Sequence, residues 1–453
     1  MKPELWLVSP PRVCTIVSLS LPIVLILLAQ TLLGLATIAM VSHLGDAAVA
    51  GVGVANALFS MLMSVLFGID TGVQALVAQR IGAGQTRLAG KTLNDALPIA
   101  VVAGLLLMAL GYGLGPSVFR MVTDDPAVTA RGLSYLVTAL PMLPLLGCIF
   151  AFSAYRNGAG TPRYSLLVSI VQVGCAIALS YLLVFGALGL PQMETAGAGL
   201  GATLATLVAF LIHLLLALRF APVPGFLQTR PSWQGVRAIL AIGLPVGLQQ
   251  AFVYLGTTVV FAIVGLIGTS EVAAMSVLLT LLLLSILPTS GMGVAAATLV
   301  GMTLGRGDVA DARRWGWDVA RCGALVILFL SLALVIAPRD PLGLLIADQT
   351  TIALAATPLR VLAIGMSVDA FGRILGFALR GAGATKLVTL VAFILQWAVQ
   401  LPLTWFVGVY LAFGLCGIAI VRLVLFAVEA AIVTLLWQND FWARRRVTPP
   451  SSR

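Results

Sequence analysis

Charged residues are scarce in this sequence. Asp, Glu, Lys and Arg together make up 9% of its 453 residues, whereas 60% are hydrophobic. This balance excludes an ordinary soluble domain and is typical of an integral membrane protein. At about 20 residues per membrane-spanning helix, the chain has room for about twelve helices joined by short loops. We therefore predict an all-α integral membrane protein with twelve transmembrane helices.

Residues that bind metals or perform catalysis are also few. The two histidines, His43 and His213, lie far apart, and the five cysteines are scattered without a Cys-x-x-Cys pair. Neither pattern predicts a zinc site or a disulfide framework. The segment Gly90-Lys91-Thr92 matches the end of a phosphate-binding loop, but Gln85 stands where that loop needs its first glycine. We therefore predict no metal, no cofactor, no nucleotide site and no enzymatic activity.

The net charge of +10 comes mainly from basic connections on one side of the membrane. Most of the 26 Lys and Arg residues fall in alternate connections, beginning with the N-terminus. Because basic loops stay in the cytoplasm, both termini are predicted to be cytoplasmic, in a bacterial inner membrane. The charge then requires no nucleic-acid partner, and Arg444–Arg446 are predicted to contact anionic lipid. The connections of the opposite side carry Arg120, Arg131, Arg339 and Arg360.

Hydropathy predicts where the twelve helices lie. The expected ranges are 14–41, 48–78, 95–115, 128–153, 163–186, 196–218, 238–266, 272–300, 319–337, 352–378, 387–409 and 415–437.

The second half of the chain repeats the first. A single shift along the sequence, called here the repeat offset, places Pro22 on Pro245 and also makes several glycines coincide, which indicates an internal duplication. Six helices return the chain to the same side, so the halves are predicted to be parallel repeats. We predict an N-terminal six-helix lobe at 1–218, a cytoplasmic linker at 219–237 and a C-terminal six-helix lobe at 238–453. The coinciding glycines are Gly45 with Gly268, Gly68 with Gly291, and Gly82 with Gly305.

Three acidic residues, Asp70, Asp369 and Glu429, are predicted to lie at membrane depth. An ionised carboxylate there costs about 2.5–3.5 kcal/mol, so each needs a partner, a wet cavity or a function. Asp369 is eleven residues before Arg380 and has Arg373 at i+4. It is therefore either an ion-coupling residue or half of a packed ion pair. Asp70 is a second candidate, for which helix packing and ion coupling remain equally open.

Other polar residues at membrane depth suggest a substrate cavity or structural contacts. For Arg422 and Glu429, which lie seven residues apart, a structural or snorkelling role is favoured. The predicted cavity is lined, besides Asp369, by Gln249, Gln250, Tyr254, Gln396 and Gln400.

Four short patterns resemble the multidrug and toxic compound extrusion (MATE) transporters. They are residues 39–45 (AMVSHLG), 76–84 (LVAQRIGAG), 243–245 (GLP) and 379–381 (LRG). The resemblance implies two six-helix lobes around a central cavity and export of amphipathic, often cationic compounds in exchange for H⁺ or Na⁺. It also implies a coupling acid in the tenth helix, eleven residues before the LRG arginine, and Asp369 matches it. We expect a monomer.

The sequence departs from the family at three positions. The first-helix aspartate common in the family falls at Thr37, a seventh-helix glutamate falls near Val253, and the polar position of the fifth helix is Ser180. The coupling site of the N-terminal lobe found in better-known members is therefore missing, which leaves Asp70 as the membrane acid of that lobe.

The resulting hypothesis is a secondary antiporter that exports drugs or toxic organic compounds. H⁺ is favoured over Na⁺ because one acid can bind a proton, whereas a hard cation needs several oxygen ligands. The proton hypothesis requires Arg373 to point away from Asp369, since a facing guanidinium would keep the carboxylate ionised. The alternative is a flippase of a lipid-linked substrate with a similar fold.

Overall fold

A computed structural model describes residues 8–344 and 348–444, so the predicted lipid contacts of Arg445 and Arg446 lie outside the described residues. Within these ranges the chain is helical and contains no strand. The helices are α1 Pro10–Ser42, α2 Asp46–Ser64, α3 Phe67–Gly82, α4 Thr86–Val122, α5 Pro126–Ala139, α6 Met142–Gly158, α7 Arg163–Phe185, α8 Glu194–Leu215, α9 Trp233–Gly265, α10 Thr269–Arg306, α11 Val309–Ile336, α12 Arg339–Gly343, α13 Gln349–Gly381, α14 Thr385–Ile394, α15 Leu401–Trp405 and α16 Gly414–Gln438.

Membrane-length helices account for most of the described chain. Eleven of them are long and apolar enough to cross a bilayer, and the bent pair of α5 and α6 brings the number to twelve. The prediction of an all-α membrane protein with about twelve spans is therefore confirmed. The axes of α5 and α6 differ by 45°, and the break falls at Pro141, whose missing N–H cannot continue the hydrogen-bond ladder.

The duplication is visible in the helix boundaries. The repeat offset that places Pro22 on Pro245 also places the first residues of α1, α2, α4 and α5 on those of α9, α10, α11 and α13 respectively. The second repeat is more continuous than the first, because α10 corresponds to the broken pair α2–α3, and α13 to α5–α6. The prediction of two repeats in parallel order is confirmed by this correspondence.

The chain divides into two compact units. One unit is Leu25–Ala251, and the other combines Met1–Val24 with Phe252–Arg453. The boundaries fall inside α1 and α9, so the first part of each of these helices packs in the unit formed mainly by the other repeat. The lobes at 1–218 and 238–453 follow the sequence repeat, and their bounds stay a prediction.

Glycines allow close helix contacts within each unit. In the unit Leu25–Ala251, a Cβ atom at Gly68 would lie 2.4 Å from the carbonyl oxygen of Gly243, so α3 and α9 touch backbone to backbone. In the other unit, a Cβ atom at Gly372 would lie 2.7 Å from the Cα atom of Ala430 on α16. Small residues at these positions let the helix backbones approach closely, as is typical of helix pairs in membranes.

The span Thr385–Tyr410 contains two wide turns. Its residues Leu395–Gln400 and Phe406–Tyr410 form π-helical turns around α15. Pro402 lies between them. It has no N–H to donate, and in a regular α-helix its ring would clash with the carbonyl of Ala398. The first wide turn carries Gln396 and Gln400, two residues of the predicted cavity.

The start of α13 is fixed by an acidic cap. The Asp348 carboxylate accepts hydrogen bonds from the backbone N–H groups of Thr350, at 3.3 Å, and Thr351, at 3.0 Å. The hydroxyl groups of both threonines donate to the same carboxylate. The side-chain hydrogen bond from Thr350, with those from Thr351, holds the pKa of Asp348 well below its usual range. The cap satisfies two free N–H groups at the start of α13, the helix that carries Asp369.

Candidate functional site

Asp369 forms an ion pair inside the unit that contains α13. The residue is 8% exposed, and its Oδ2 atom accepts a hydrogen bond of 2.6 Å from the Nε atom of Arg373. The proton hypothesis required Arg373 to point away from Asp369, and that condition was wrong. Residues at i and i+4 share one helix face, and two opposite charges removed from water stabilise each other there.

Two further charged residues, Glu429 and Arg422, lie on α16 in the same unit as this pair. Glu429 acts electrostatically on Arg373, in addition to the larger effect of Asp369. Arg422 donates a hydrogen bond of 2.6 Å from Nη1 to Oε1 of Gln400, and its guanidinium lies 4.7 Å from the ring centre of Phe426. Arg422 therefore binds a side chain of the wide turn.

The other predicted cavity residues of this unit lie on the span Thr385–Tyr410 and on α9. The Nε2 atom of Gln396 donates to the backbone oxygen of Val253 at 3.3 Å, and the Gln396 side chain packs over Gly256. Tyr254 is 38% exposed. This unit therefore contains three of the five predicted cavity residues: Tyr254, Gln396 and Gln400.

Asp70 lies in the first turn of α3, in the other unit, and it is half-buried. No hydrogen bond or ion pair joins its carboxylate to any residue within 8–344 and 348–444. The neighbouring hydroxyl of Thr71 donates to the carbonyl of Phe67 instead. Gly68 and Gly72, on either side, bring α9 close to this part of α3. Among the described residues, Asp70 thus has no charge partner, whereas Asp369 has one.

The remaining predicted cavity residues, Gln249 and Gln250, belong to the same unit as Asp70. Gln249 is buried at 8% exposure, and Gln250 is half-buried. The five predicted residues are therefore divided between the two units, and a common cavity stays a prediction.

The described residues contain no group of three or more His, Cys, Asp or Glu side chains that could hold a metal ion. His213 instead stacks on Phe152, with 5.6 Å between ring centres, and is 2% exposed.

Sequence reasoning missed two acids at helix beginnings, Asp95 and Asp318. Asp95 accepts a 2.7 Å hydrogen bond from the backbone N–H of Ser232, and Asp318 binds Arg12. The repeat offset places Asp95 on Asp318, and this coincidence was the signal that could have found them.

A family model described as MatE matches this chain twice, at residues 22–182 and 245–406. The chain belongs to the MatE family. The two matched segments begin at Pro22 and Pro245, the pair that defines the repeat offset. Members of the MATE family are membrane transporters, so the chain is a multi-pass membrane transporter and not an enzyme.

Relatives and solved structures agree with this assignment. The chain is 30% identical over 410 residues to a probable multidrug resistance protein NorM from Bradyrhizobium diazoefficiens, covering 88% of this chain and 87% of that protein. It is 25% identical to the multidrug resistance protein MdtK of Edwardsiella ictaluri, covering 86% of each. A crystal structure of a MATE protein in its straight conformation matches the fold with a TM-score of 0.86 at 20% identity, over 94% of this chain and 95% of that one.

Proposed function

We propose that this MATE protein exports amphipathic organic compounds, cations among them, in exchange for H⁺. The observation that carries the proposal is Asp70, a half-buried carboxylate in a duplicated helical bundle that pairs with no described residue. A carboxylate that no cation holds can take up a proton without first losing a partner. The multidrug resistance names of the similar proteins support organic compounds as the substrate class.

The two membrane acids have different roles in this proposal. Asp70 takes up the coupling proton, because no cation competes for it. Asp369 is a second coupling residue whose ion pair with Arg373 must open before its carboxylate can accept a proton or meet a cationic substrate. This order reverses the one expected from sequence, in which Asp369 was the first candidate and Asp70 the second.

The surroundings of both acids favour H⁺ over Na⁺. A sodium ion needs several oxygen ligands to replace its hydration shell. The described residues place no second carboxylate against Asp70, and the nearest cation of Asp369 is the guanidinium of Arg373. A proton needs only one oxygen, which each carboxylate supplies.

We also propose that the protein lies in a bacterial inner membrane with both termini in the cytoplasm, as the basic connections indicate. A single cysteine introduced in the linker 219–237 should then react with a membrane-impermeant maleimide in inside-out vesicles and stay unreacted in intact cells. Labelling of intact cells would contradict this orientation.

Liposome transport tests the function. The purified protein is reconstituted in liposomes that contain a fluorescent lipophilic cation. The dye should cross the membrane when a pH gradient is imposed at constant Na⁺. A sodium gradient at constant pH should leave the dye in place. Dye movement driven by sodium alone would overturn the choice of ion, and movement of a fluorescent lipid-linked sugar but of no soluble dye would favour the flippase.

A further inference from the structure

Asp95 and Asp318 occupy equivalent positions in the two repeats. Each lies in the third turn of its helix, Asp95 in α4 and Asp318 in α11, and the repeat offset places the beginning of α4 on that of α11. Both side chains are largely removed from water, with exposures of 1% and 14%. Each carboxylate binds the beginning of the first helix of the other repeat.

Asp95 holds the beginning of α9. Its Oδ1 atom accepts the backbone N–H of Ser232, the residue before α9, and Lys91 donates to both carboxylate oxygens at 3.1 Å. A negative charge at a helix N-terminus is stabilised by the helix dipole. The fit is close, because a Cβ atom at Gly235 would lie 1.9 Å from Oδ2 of Asp95. A larger residue at 235 would displace the carboxylate.

Asp318 holds the beginning of α1. Its Oδ2 atom accepts a 2.5 Å hydrogen bond from Nη1 of Arg12, which also pairs with Asp311. The guanidinium of Arg12 lies 4.4 Å from the ring centre of Trp315, and Arg321 contributes a second, longer contact with Asp318 at 4.0 Å. The repeat offset places Arg12 on Gly235, so both carboxylates meet the same helix position.

These contacts join one repeat to the other. In duplicated transporters the substrate path runs between the repeats, and access alternates as one repeat moves against the other. If the repeats are the moving bodies, contacts between them at one end of the bundle break once per cycle. Both acids lie at the ends that carry the basic connections, which the charge distribution places in the cytoplasm.

We propose that Asp95 and Asp318 are paired anchors that hold the cytoplasmic beginnings of α9 and α1, and that both release when the transporter takes up substrate from the cytoplasm. The proposal rests on the proposed export function. It assigns a positioning role to two acids that lie on other helices than Asp70 and Asp369. The linker itself stays on α4, because Asn94 donates to the backbone oxygens of Gly225, at 2.9 Å, and Thr229, at 3.0 Å.

A disulfide across the first anchor tests whether it must open. In a background with the five native cysteines replaced, Asp95→Cys is combined with Gly235→Cys. The Cβ atoms would lie 3.1 Å apart, close to disulfide geometry. Oxidation should lower dye transport by about tenfold or more, because the repeats can no longer part. Dithiothreitol should restore it, and transport by the reduced protein provides the reference for the export function.

A matched disulfide within one repeat provides the control. Val77→Cys in α3 and Gly158→Cys in α6 place two Cβ atoms 3.1 Å apart near the same end of the first repeat. Oxidation of this pair should leave transport unchanged. Equal transport by the oxidised and reduced anchor pair would overturn the proposal, since the contact would then stay closed throughout the cycle.

The second anchor gives an independent measurement by charge reversal. Ser20 lies in α1 against α10 and is 4% exposed, so a cysteine there reports whether α1 has moved away. Asp318→Arg should increase maleimide labelling of Ser20→Cys several-fold in inside-out vesicles. Adding Arg12→Asp should return labelling towards the starting rate, because the pair is re-formed with opposite polarity. If neither Asp318→Arg nor the added Arg12→Asp changed the labelling of Ser20→Cys, the anchor role would be contradicted.

Discussion

Asp369→Asn is expected to abolish transport while leaving a folded protein of reduced stability. The substitution removes the partner of Arg373, which remains charged at membrane depth. Breaking a fully buried pair costs about 3–5 kcal/mol, and we expect about 1–3 kcal/mol here because the Arg373 side chain is 34% exposed. Glu429 offsets part of the loss, since it also acts on Arg373.

The double variant Asp369→Asn/Arg373→Gln separates coupling from packing. Without either charge, thermal stability in detergent should return close to that of the unmodified protein. Transport should stay absent, because no carboxylate remains at this position to exchange a proton. Recovery of both stability and transport would show that the pair serves packing alone.

A matched control for these substitutions is Glu194→Gln. It removes the ion pair between Arg131 and Glu194, whose side chains are 33% and 49% exposed. Exposed pairs contribute at most about 1 kcal/mol, so stability and transport should change little. Any large loss of transport in this control would mean that general charge removal, rather than the site, disables the protein.

Hydropathy and charge were sufficient to predict the helical fold, because the free energy of placing each residue in the bilayer determines which segments span it. The predicted range 95–115 nevertheless covers only the apolar middle of α4, which extends over Thr86–Val122. Lys91 and Asn94 make the first turns polar, so hydropathy alone cannot assign those turns to the helix. Those turns carry the contacts to α9 and to the linker.

Which side chains pair at the site depends on contacts that a single sequence does not specify. The i,i+4 spacing of Asp369 and Arg373 permitted an ion pair but equally permitted two rotamers pointing apart. The wide turn Leu395–Gln400 that brings Gln400 to Arg422 follows from local backbone geometry near Pro402, and no periodicity in the sequence marks it. Asp70 was identified from its depth, yet only the structure shows that no described residue pairs with it.

Neither candidate coupling acid has an acidic counterpart in the other repeat, where Asp369 falls on Leu146. The repeat offset places Asp70 on Gly293, a glycine covered by Phe377. The acid is therefore not required by the architecture that the two repeats share. A packing role common to both halves would leave a polar group in each, so the asymmetry favours a function for Asp70.

Asp70→Asn is expected to uncouple transport from the pH gradient. The carboxylate is half-buried and is bound by no described residue, so its oxygens are available to a proton. In the unmodified protein, export should therefore accelerate as the outside becomes more acidic. The asparagine variant should still exchange dye down the dye's own gradient, with a rate that no longer depends on pH.

Proton uptake measured together with dye movement decides the role of Asp70. Vesicles containing a pH indicator should report proton entry with the unmodified protein and with Asp70→Glu, which keeps the carboxylate, but none with Asp70→Asn. Asp46→Asn is the control, because Asp46 also lies in the first turn of a helix, α2, but next to a loop. A packing role for Asp70 needs only a polar side chain, which asparagine also supplies. If the Asp70→Asn variant kept the full pH response, the residue would be assigned to packing and the coupling role would return to Asp369.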